Sequence, residues 1–116
     1  YSSAGYFANI QTPAAKAFSD AYFKRFGAQA PVLNGLAESV YEGFLMLEAI
    51  AVRAKSLDVA KMEPASEGAS YNGPRGAVTM HARHVEQDIY LADVGEKGLR
   101  VVKTFAHIAS GQTCKV

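Results

Sequence analysis

Apolar positions are spaced first as in helices and later as in strands. A short extended segment, YSSAGYFANI, comes first. Aromatic residues then recur every four positions from Phe18 to Phe26, and this spacing predicts a helix in QTPAAKAFSDAYFKRFG. Thr12 suits the N-cap, Pro13 suits the first helical position, and Gly27 suits the end of this helix.

A second, longer helix is predicted in NGLAESVYEGFLMLEAIAVRAKS, with Asn34 as its cap. Two neighbouring apolar stripes run along it, and such a pattern predicts burial on more than one side. One stripe holds Leu36, Val40, Phe44, Leu47 and Ala51, and the other holds Ala37, Tyr41, Leu45 and Val52. Ser56 is then expected to cap a short third helix, LDVAKME, which Pro64 ends.

The second half of the chain has the composition of strands. GAVTMHA, DIYLADV and LRVVKTF are short and rich in β-branched and aromatic residues. GEKG joins the last two and has glycines where a hairpin needs positive φ. The predicted order is therefore a strand, two to three helices, and then antiparallel strands, which would suggest an α+β fold if the chain were a whole domain.

Composition limits the classes of protein that fit this order. The 116 residues, 49% of them apolar and 20% charged, suit one small globular unit. The net charge is only +1 and the basic residues are dispersed, so the surface of a nucleic-acid binder is missing. Because the chain opens at Tyr1 in what reads as the middle of a protein, we expect a piece of a longer polypeptide.

Two of the three histidines lie in GPRGAVTMHARH. On one strand, His81 and His84 would point to opposite faces, which is poor geometry for a shared metal. Zinc needs three or four converging ligands, and Glu86 and Asp88 are the only nearby carboxylates. These residues favour a solvated strand end over a metal site.

No arrangement of residues indicates an enzyme or a cofactor. The chain has no G-x-S-x-G motif, and Ser39 is framed by glutamate instead of glycine. Cys114 lies in a polar tail, and NGPRG lacks the spacing and the following helix of a phosphate-binding loop. Glu38 and Glu42 are one helical turn apart, a spacing that suits acid–base chemistry but is more typical of a solvated face.

Three stretches in this order resemble the C-terminal third of type I periplasmic solute-binding proteins. They are YFANIQTPAAKAFSDAYFKRFG, LAESVYEGFLMLEAIAVRA and YNGPRGAVTMHARHVEQDIYLADVGEKG. The resemblance covers roughly residues 1 to 105, within the Leu/Ile/Val-binding-like proteins, and is greatest to the branch that binds urea and short-chain amides. Leu36 departs from this pattern, since the branch often has an aromatic residue there, and the tail after Phe105 matches nothing in it.

The resemblance implies a C-terminal fragment of a two-lobed α/β fold that grips a ligand between its lobes. Residues 1–68 would then belong to one lobe, residues 69–105 to the other, and residues 106–116 to a tail. The implied partners are a small-molecule ligand, the membrane permease of an ABC transporter and the remainder of the same polypeptide. Most of the ligand site would come from that upstream remainder.

Three residues are candidate ligand contacts by this resemblance: Tyr6 on a crossing between the lobes, and Glu38 and Tyr41 at the start of the long helix. A carboxylate can accept an amide N–H, and a phenol can donate to a carbonyl. The alternative is that Tyr41 fills the core and that Glu38 interacts with the helix dipole.

The implied function is that of a periplasmic, non-enzymatic substrate-binding component of an ABC transporter, with urea, a short-chain amide or an amino acid as ligand. The second hypothesis is a cytoplasmic amide-sensing regulator of amidase expression with the same fold. A third, more remote, is a small hydrolytic enzyme that uses Glu38 and His81 as acid and base.

Overall fold

The structure, a computed structural model, describes residues 1–96 and 98–111. Over these ranges the chain forms five strands and three helices. The predicted order of a strand, helices and then antiparallel strands is confirmed, but the strand Ser70–Gly73 was not predicted. The elements are β1 (Ser2–Ala4), α1 (Pro13–Phe26), α2 (Gly35–Ala54), α3 (Val59–Ala65), β2 (Ser70–Gly73), β3 (Gly76–His81), β4 (His84–Gly95) and β5 (Gly98–Ala109). No helix in this part of the chain has the length and apolar character that crossing a membrane requires.

All five strands join one antiparallel sheet around β4. One edge of β4 pairs with β3 near its start and with β1 further along, at Tyr90 to Ala92. The other edge pairs with β5, and β2 extends the sheet beyond β3. The chain's first strand therefore lies in the same sheet as the four strands that follow Gly68.

The predicted caps place the two long helices. The Thr12 side chain accepts from the backbone N–H of Ala15 at 3.2 Å, and Gly27 ends α1 with a φ of 91°. The side chain of Asn34 accepts from the N–H groups of Leu36 and Ala37, so the first turn of α2 is satisfied locally. These predictions are confirmed because each depends on contacts within three residues.

The third helix differs from its prediction in both bounds. Asp58, and not Ser56, is the N-cap, because its carboxylate accepts from the N–H of Lys61. Pro64 lies inside the helix, which ends one residue later at Ala65. A proline in the last turn removes one hydrogen bond only, so a helix this short tolerates it.

The turn between β3 and β4 corrects the expectation for the two histidines. His81 and His84 do not lie on one strand: β3 ends at His81, β4 begins at His84, and the two residues pair directly across the ladder. Ala82 and Arg83 form the turn with φ values of 48° and 65°. Glu67 stabilises it, because its carboxylate accepts from the Ala82 N–H at 2.8 Å and lies 3.0 Å from His81 Nδ1. Cross-strand partners point to the same face, so the prediction of opposite faces was wrong.

Two small apolar clusters hold the helices on the sheet. Near α1, the buried residues are Tyr6, Ile10, Ala15 and Tyr90, and near α2 they are Met46, Ala69 and Val78. Both predicted stripes of α2 are largely exposed in this chain; Leu36 is 82% and Phe44 68% accessible. The face of α2 that packs on the sheet carries Glu38, Glu42 and Met46 instead.

The end of the chain is partly described. Strand β5 continues to Ala109, so residues 106–109 of the predicted tail belong to the sheet. Cys114 lies outside the described residues. The division of the chain between two lobes stays a prediction.

Candidate functional site

A polar network around two buried carboxyl groups joins α2 to the sheet. We call it the Arg75 cluster, and it consists of Glu38, Ser39, Glu42, Tyr71, Arg75 and Gln87. Glu38 and Glu42 lie one turn apart on α2 and are only 0% and 2% exposed. The sequence favoured a solvated face for this pair, and that interpretation was wrong. Burial is possible because the turn between β2 and β3 brings a guanidinium against both carboxyl groups.

The guanidinium of Arg75 contacts four side chains. Nη2 is ion-paired with Glu38 Oε2 and also donates to Ser39 Oγ at 2.7 Å. Nη1 donates to Gln87 Oε1 on β4 at 2.8 Å, and Nε is ion-paired with Glu42 Oε2. One side chain therefore ties two turns of α2 to the middle of the sheet.

Glu42 in turn fixes the backbone that carries Arg75. Its carboxylate accepts from the backbone N–H of Arg75 at 3.1 Å and from the Tyr71 hydroxyl at 2.8 Å. The Tyr90 hydroxyl donates to the carbonyl of Arg75 at 2.8 Å. Gly73 leaves the space for this arrangement, since a Cβ there would stand 2.5 Å from Glu42 Oε1.

The charge of the cluster depends on Glu38. Burial, and then the hydrogen bond to Glu42, raise the pKa of Glu38 to about 8, even though Arg75 acts in the opposite direction. Near pH 7 Glu38 is therefore mainly protonated, and Glu42 and Arg75 balance each other. Glu38 Oε1 is buried and has no hydrogen-bond partner among the described residues, so it is the oxygen left free to carry the proton.

An open hollow of about 430 Å³ adjoins the cluster at the start of α2. It is bordered by Ala4, Gly5, Tyr6, Asn34, Gly35, Leu36, Ser39 and Arg75. Burial, and then the nearby charges of Glu38 and Glu42, raise the pKa of Tyr6. The N-terminal N–H groups of α2 are already bonded to Asn34, so the hollow presents polar groups with little net charge.

A larger groove of about 680 Å³ lies between α1 and α2. Its walls are mostly apolar, and Tyr41 belongs to them together with Phe18, Tyr22 and Leu45. The rings of Phe18 and Tyr41 pack with their centroids 4.8 Å apart, and Tyr41 is 45% exposed. Tyr41 is therefore neither a core residue nor a neighbour of the hollow.

The structure brings two of the three candidate ligand residues together. Tyr6 borders the hollow, and Glu38 contacts Arg75, which also borders it. Tyr41 lines the groove between α1 and α2. Sequence reasoning missed Arg75, Ser39 and Gln87. One signal was present, because a pair of carboxylates on a helix that packs on a sheet needs a cation, and NGPRG supplies one.

The histidines do not form a metal centre with other residues here. In residues 1–96 and 98–111, no three or more His, Cys, Asp or Glu side chains are grouped closely enough to bind a metal ion. His81 is instead in contact with Glu67, and His107 lies 3.5 Å from Glu86.

Solved structures similar to this chain are solute-binding proteins. One is a solute-binding protein of an ABC transporter from Rhodopseudomonas palustris, in complex with p-hydroxybenzoic acid. It is 26% identical to this chain, and the two superpose with a TM-score of 0.75. The match covers 91% of this chain and 30% of that protein. A leucine-, isoleucine-, valine-, threonine- and alanine-binding protein from Brucella ovis, in its closed conformation, is 18% identical, with 90% and 30% covered and a TM-score of 0.74. A leucine-binding protein from Thermotoga maritima is 20% identical, with 90% and 30% covered and a TM-score of 0.66.

The chain thus spans about 30% of the length of these solved proteins. No curated protein matches it. The sequence signature described as periplasmic binding protein matches residues 1–99, which is most of the chain. The α/β order, the antiparallel sheet and this match agree: the chain belongs to the periplasmic binding protein family.

Proposed function

We propose that this chain is the C-terminal part of the substrate-binding component of an ABC transporter. The whole protein would bind a small polar solute between two lobes in the periplasm and deliver it to a membrane permease, without catalysis. The family match over residues 1–99 is the observation that carries this proposal. The Rhodopseudomonas palustris relative, a solute-binding protein of an ABC transporter, supports it.

The ligand would border the hollow at the start of α2. Polar groups from three parts of the chain meet there: Tyr6 after β1, Ser39 on α2 and Arg75 before β3. Arg75 is already paired with carboxyl groups, so the hollow suits an uncharged polar group better than a free anion. An amide or a hydroxyl has this chemistry, which supports urea or a short-chain amide as the ligand. If the ligand is an amino acid, upstream residues would bind its charged groups.

The remainder of the polypeptide would cover the exposed apolar surface of α2. Roughly 250 further residues would lie upstream and complete the two lobes. A long row of accessible apolar side chains supports this arrangement, because such patches mark surfaces that pack against protein. The row consists of Leu36, Val40, Phe44 and Leu47.

Calorimetry on the full-length protein tests the function directly. Urea, acetamide, leucine and p-hydroxybenzoate would be titrated separately, and saturable binding of at least one without turnover is the expected result. Chemical conversion of a ligand would contradict the proposal and support an enzyme. Binding of amides by a protein found in the cytoplasm would favour the regulator instead.

Two single-hydroxyl variants locate the ligand. In the full-length protein, Tyr6→Phe should weaken binding by about 0.5–1.5 kcal/mol if the phenol donates to the ligand at the hollow. Tyr41→Phe should weaken binding by a similar amount only if the ligand reaches the groove. The measurement is the Kd of the tightest ligand from calorimetry, with thermal unfolding as a check that both variants fold.

The pattern of the two results is decisive. Loss in Tyr6→Phe alone supports the hollow, whereas loss in Tyr41→Phe alone moves the ligand to the groove between α1 and α2. Unchanged affinity in both variants would contradict a ligand contact through either hydroxyl.

A further inference from the structure

The Arg75 cluster contains more negative than positive groups. Its two carboxyl groups, Glu38 and Glu42, are almost completely buried, and both contact the same guanidinium. With both carboxyl groups ionised, the three side chains would carry a net charge of −1, although the carboxyl groups are only 0% and 2% exposed and Arg75 only 12%. Such a charge is costly, and one additional proton removes it.

Polar and titratable groups from every neighbouring element lie near this pair or near the turn that carries Arg75. They are Arg75 from the turn before β3, Tyr71 from β2, Gln87, Asp88 and Tyr90 from β4, and Tyr6 after β1. Arg75 is the one cation among these described groups. Asp88 adds negative charge next to Gly76, and burial raises the pKa of the tyrosines, which keeps them neutral. None of these groups therefore replaces the missing positive charge.

The cluster is also the polar half of the contact between α2 and the sheet. Met46 and Ile50 make the apolar half, against Ala69 and Val78. Over the first two turns of α2, contact with the sheet depends on Glu38, Ser39 and Glu42 through Arg75 and Tyr71. A change of charge here therefore acts on the N-terminal half of the helix.

We propose that Glu38 and Glu42 share one proton, and that this proton locks the N-terminal half of α2 onto the sheet. When the proton is released at higher pH, the contact between α2 and the sheet loosens, whichever solute the protein binds. The start of α2 also borders the hollow, so alkaline pH loosens one wall of that hollow.

The direction of the pH dependence follows from the folded and unfolded states. A glutamate in an unfolded chain titrates near pH 4.5, and the pKa of folded Glu38 is about 8. The proton is therefore held more tightly by the folded state. Its stabilisation is complete below pH 4.5, decreases as pH rises, and is lost once pH passes 8.

Carbon-13 NMR of glutamate carboxyl groups, on the full-length protein, tests the shared proton. One carboxyl resonance should titrate with a midpoint near 8, and Glu38→Gln should remove that transition. Glu48→Gln is the matched control, because Glu48 is an exposed residue of the same helix, and it should leave the transition in place. Titration of every glutamate below pH 6 in the wild-type protein would overturn the proposal, even if the variants fail to fold.

Hydrogen exchange tests the loosening. After correction for intrinsic rates, opening at the start of α2 should increase about tenfold between pH 7 and pH 9, as a single group with a pKa near 8 requires. Amides from Ile50 to Ala54 should change less, because an apolar contact holds that end of the helix. Equal change along all of α2, or the same increase in Glu38→Gln, would contradict a lock at Glu38.

Discussion

Replacing Arg75 with methionine should lower the free energy of unfolding of the full-length protein by about 3–5 kcal/mol. Methionine keeps much of the length of the side chain but removes the charge that Glu38 and Glu42 share. It also removes the donors to Ser39 and Gln87, and the loss at the half-buried Gln87 costs additional stability. This is the largest effect that the described contacts predict for one substitution.

The loss should also depend on pH. Without the guanidinium, the buried carboxyl groups take up protons at a higher pH, so the Arg75→Met protein should be least destabilised near pH 5. The difference from wild type should increase as pH rises towards 8, because ionisation of the pair then has no compensation. Denaturant unfolding followed by circular dichroism at pH 5 and pH 8 measures both quantities.

Arg100→Met provides the matched control. Arg100 is ion-paired with Asp93 at 3.6 Å, but its side chain is 75% exposed. Exposed pairs contribute about 0–1 kcal/mol, so this variant should stay close to wild type at both pH values. A similarly small effect for Arg75→Met would mean that the cluster is not buried in the full-length protein.

Gly73→Ala should destabilise the full-length protein by about 1–3 kcal/mol, the usual cost of overpacking a buried site. The added Cβ would stand 2.5 Å from Glu42 Oε1 and 2.9 Å from Tyr71 Cε2. Neither atom can easily move, since Glu42 is held by the Arg75 backbone and by the Tyr71 hydroxyl. Thermal unfolding and denaturant titration at pH 7 would measure the loss.

Gly95→Ala separates this clash from a general effect of replacing glycine. Gly95 ends β4 with no atom within 4 Å of an added Cβ, so its replacement should change stability by less than about 0.5 kcal/mol. Equal losses in the two variants would argue that backbone conformation, and not contact with Glu42, restricts Gly73.

Local sequence signals predicted the helices and the last hairpin well. Thr12, Asn34 and Gly27 act on backbone groups of their own helix ends, so neighbouring residues suffice to identify them. The hairpin between β4 and β5 is confirmed, since Gly95 and Gly98 pair at the end of the ladder, but of these two glycines Gly98 alone has a positive φ. The histidine turn was missed, since its positive φ values fall on Ala82 and Arg83, which Glu67 supports from outside the hairpin.

The candidate site was only partly predictable. Tyr6 and Glu38 were named from the family resemblance, and the structure places both beside the hollow, but their role as ligand contacts stays a prediction. Tyr41 was named on the same grounds and faces a separate apolar groove. Helical spacing could not separate Glu38 from Tyr41, because residues three apart lie on adjoining faces and only the packing of α2 decides which face meets the sheet.

The sequence by itself determined the order of the elements, the caps of the long helices and the family. Each of these depends on residues close together in the chain or on a pattern along it. Only the tertiary structure decided that two carboxyl groups of α2 are buried, because the cation that makes this possible lies 33 residues beyond Glu42. The free energy of a buried charge is set by its neighbours in space, and a strand turn brought Arg75 to that position.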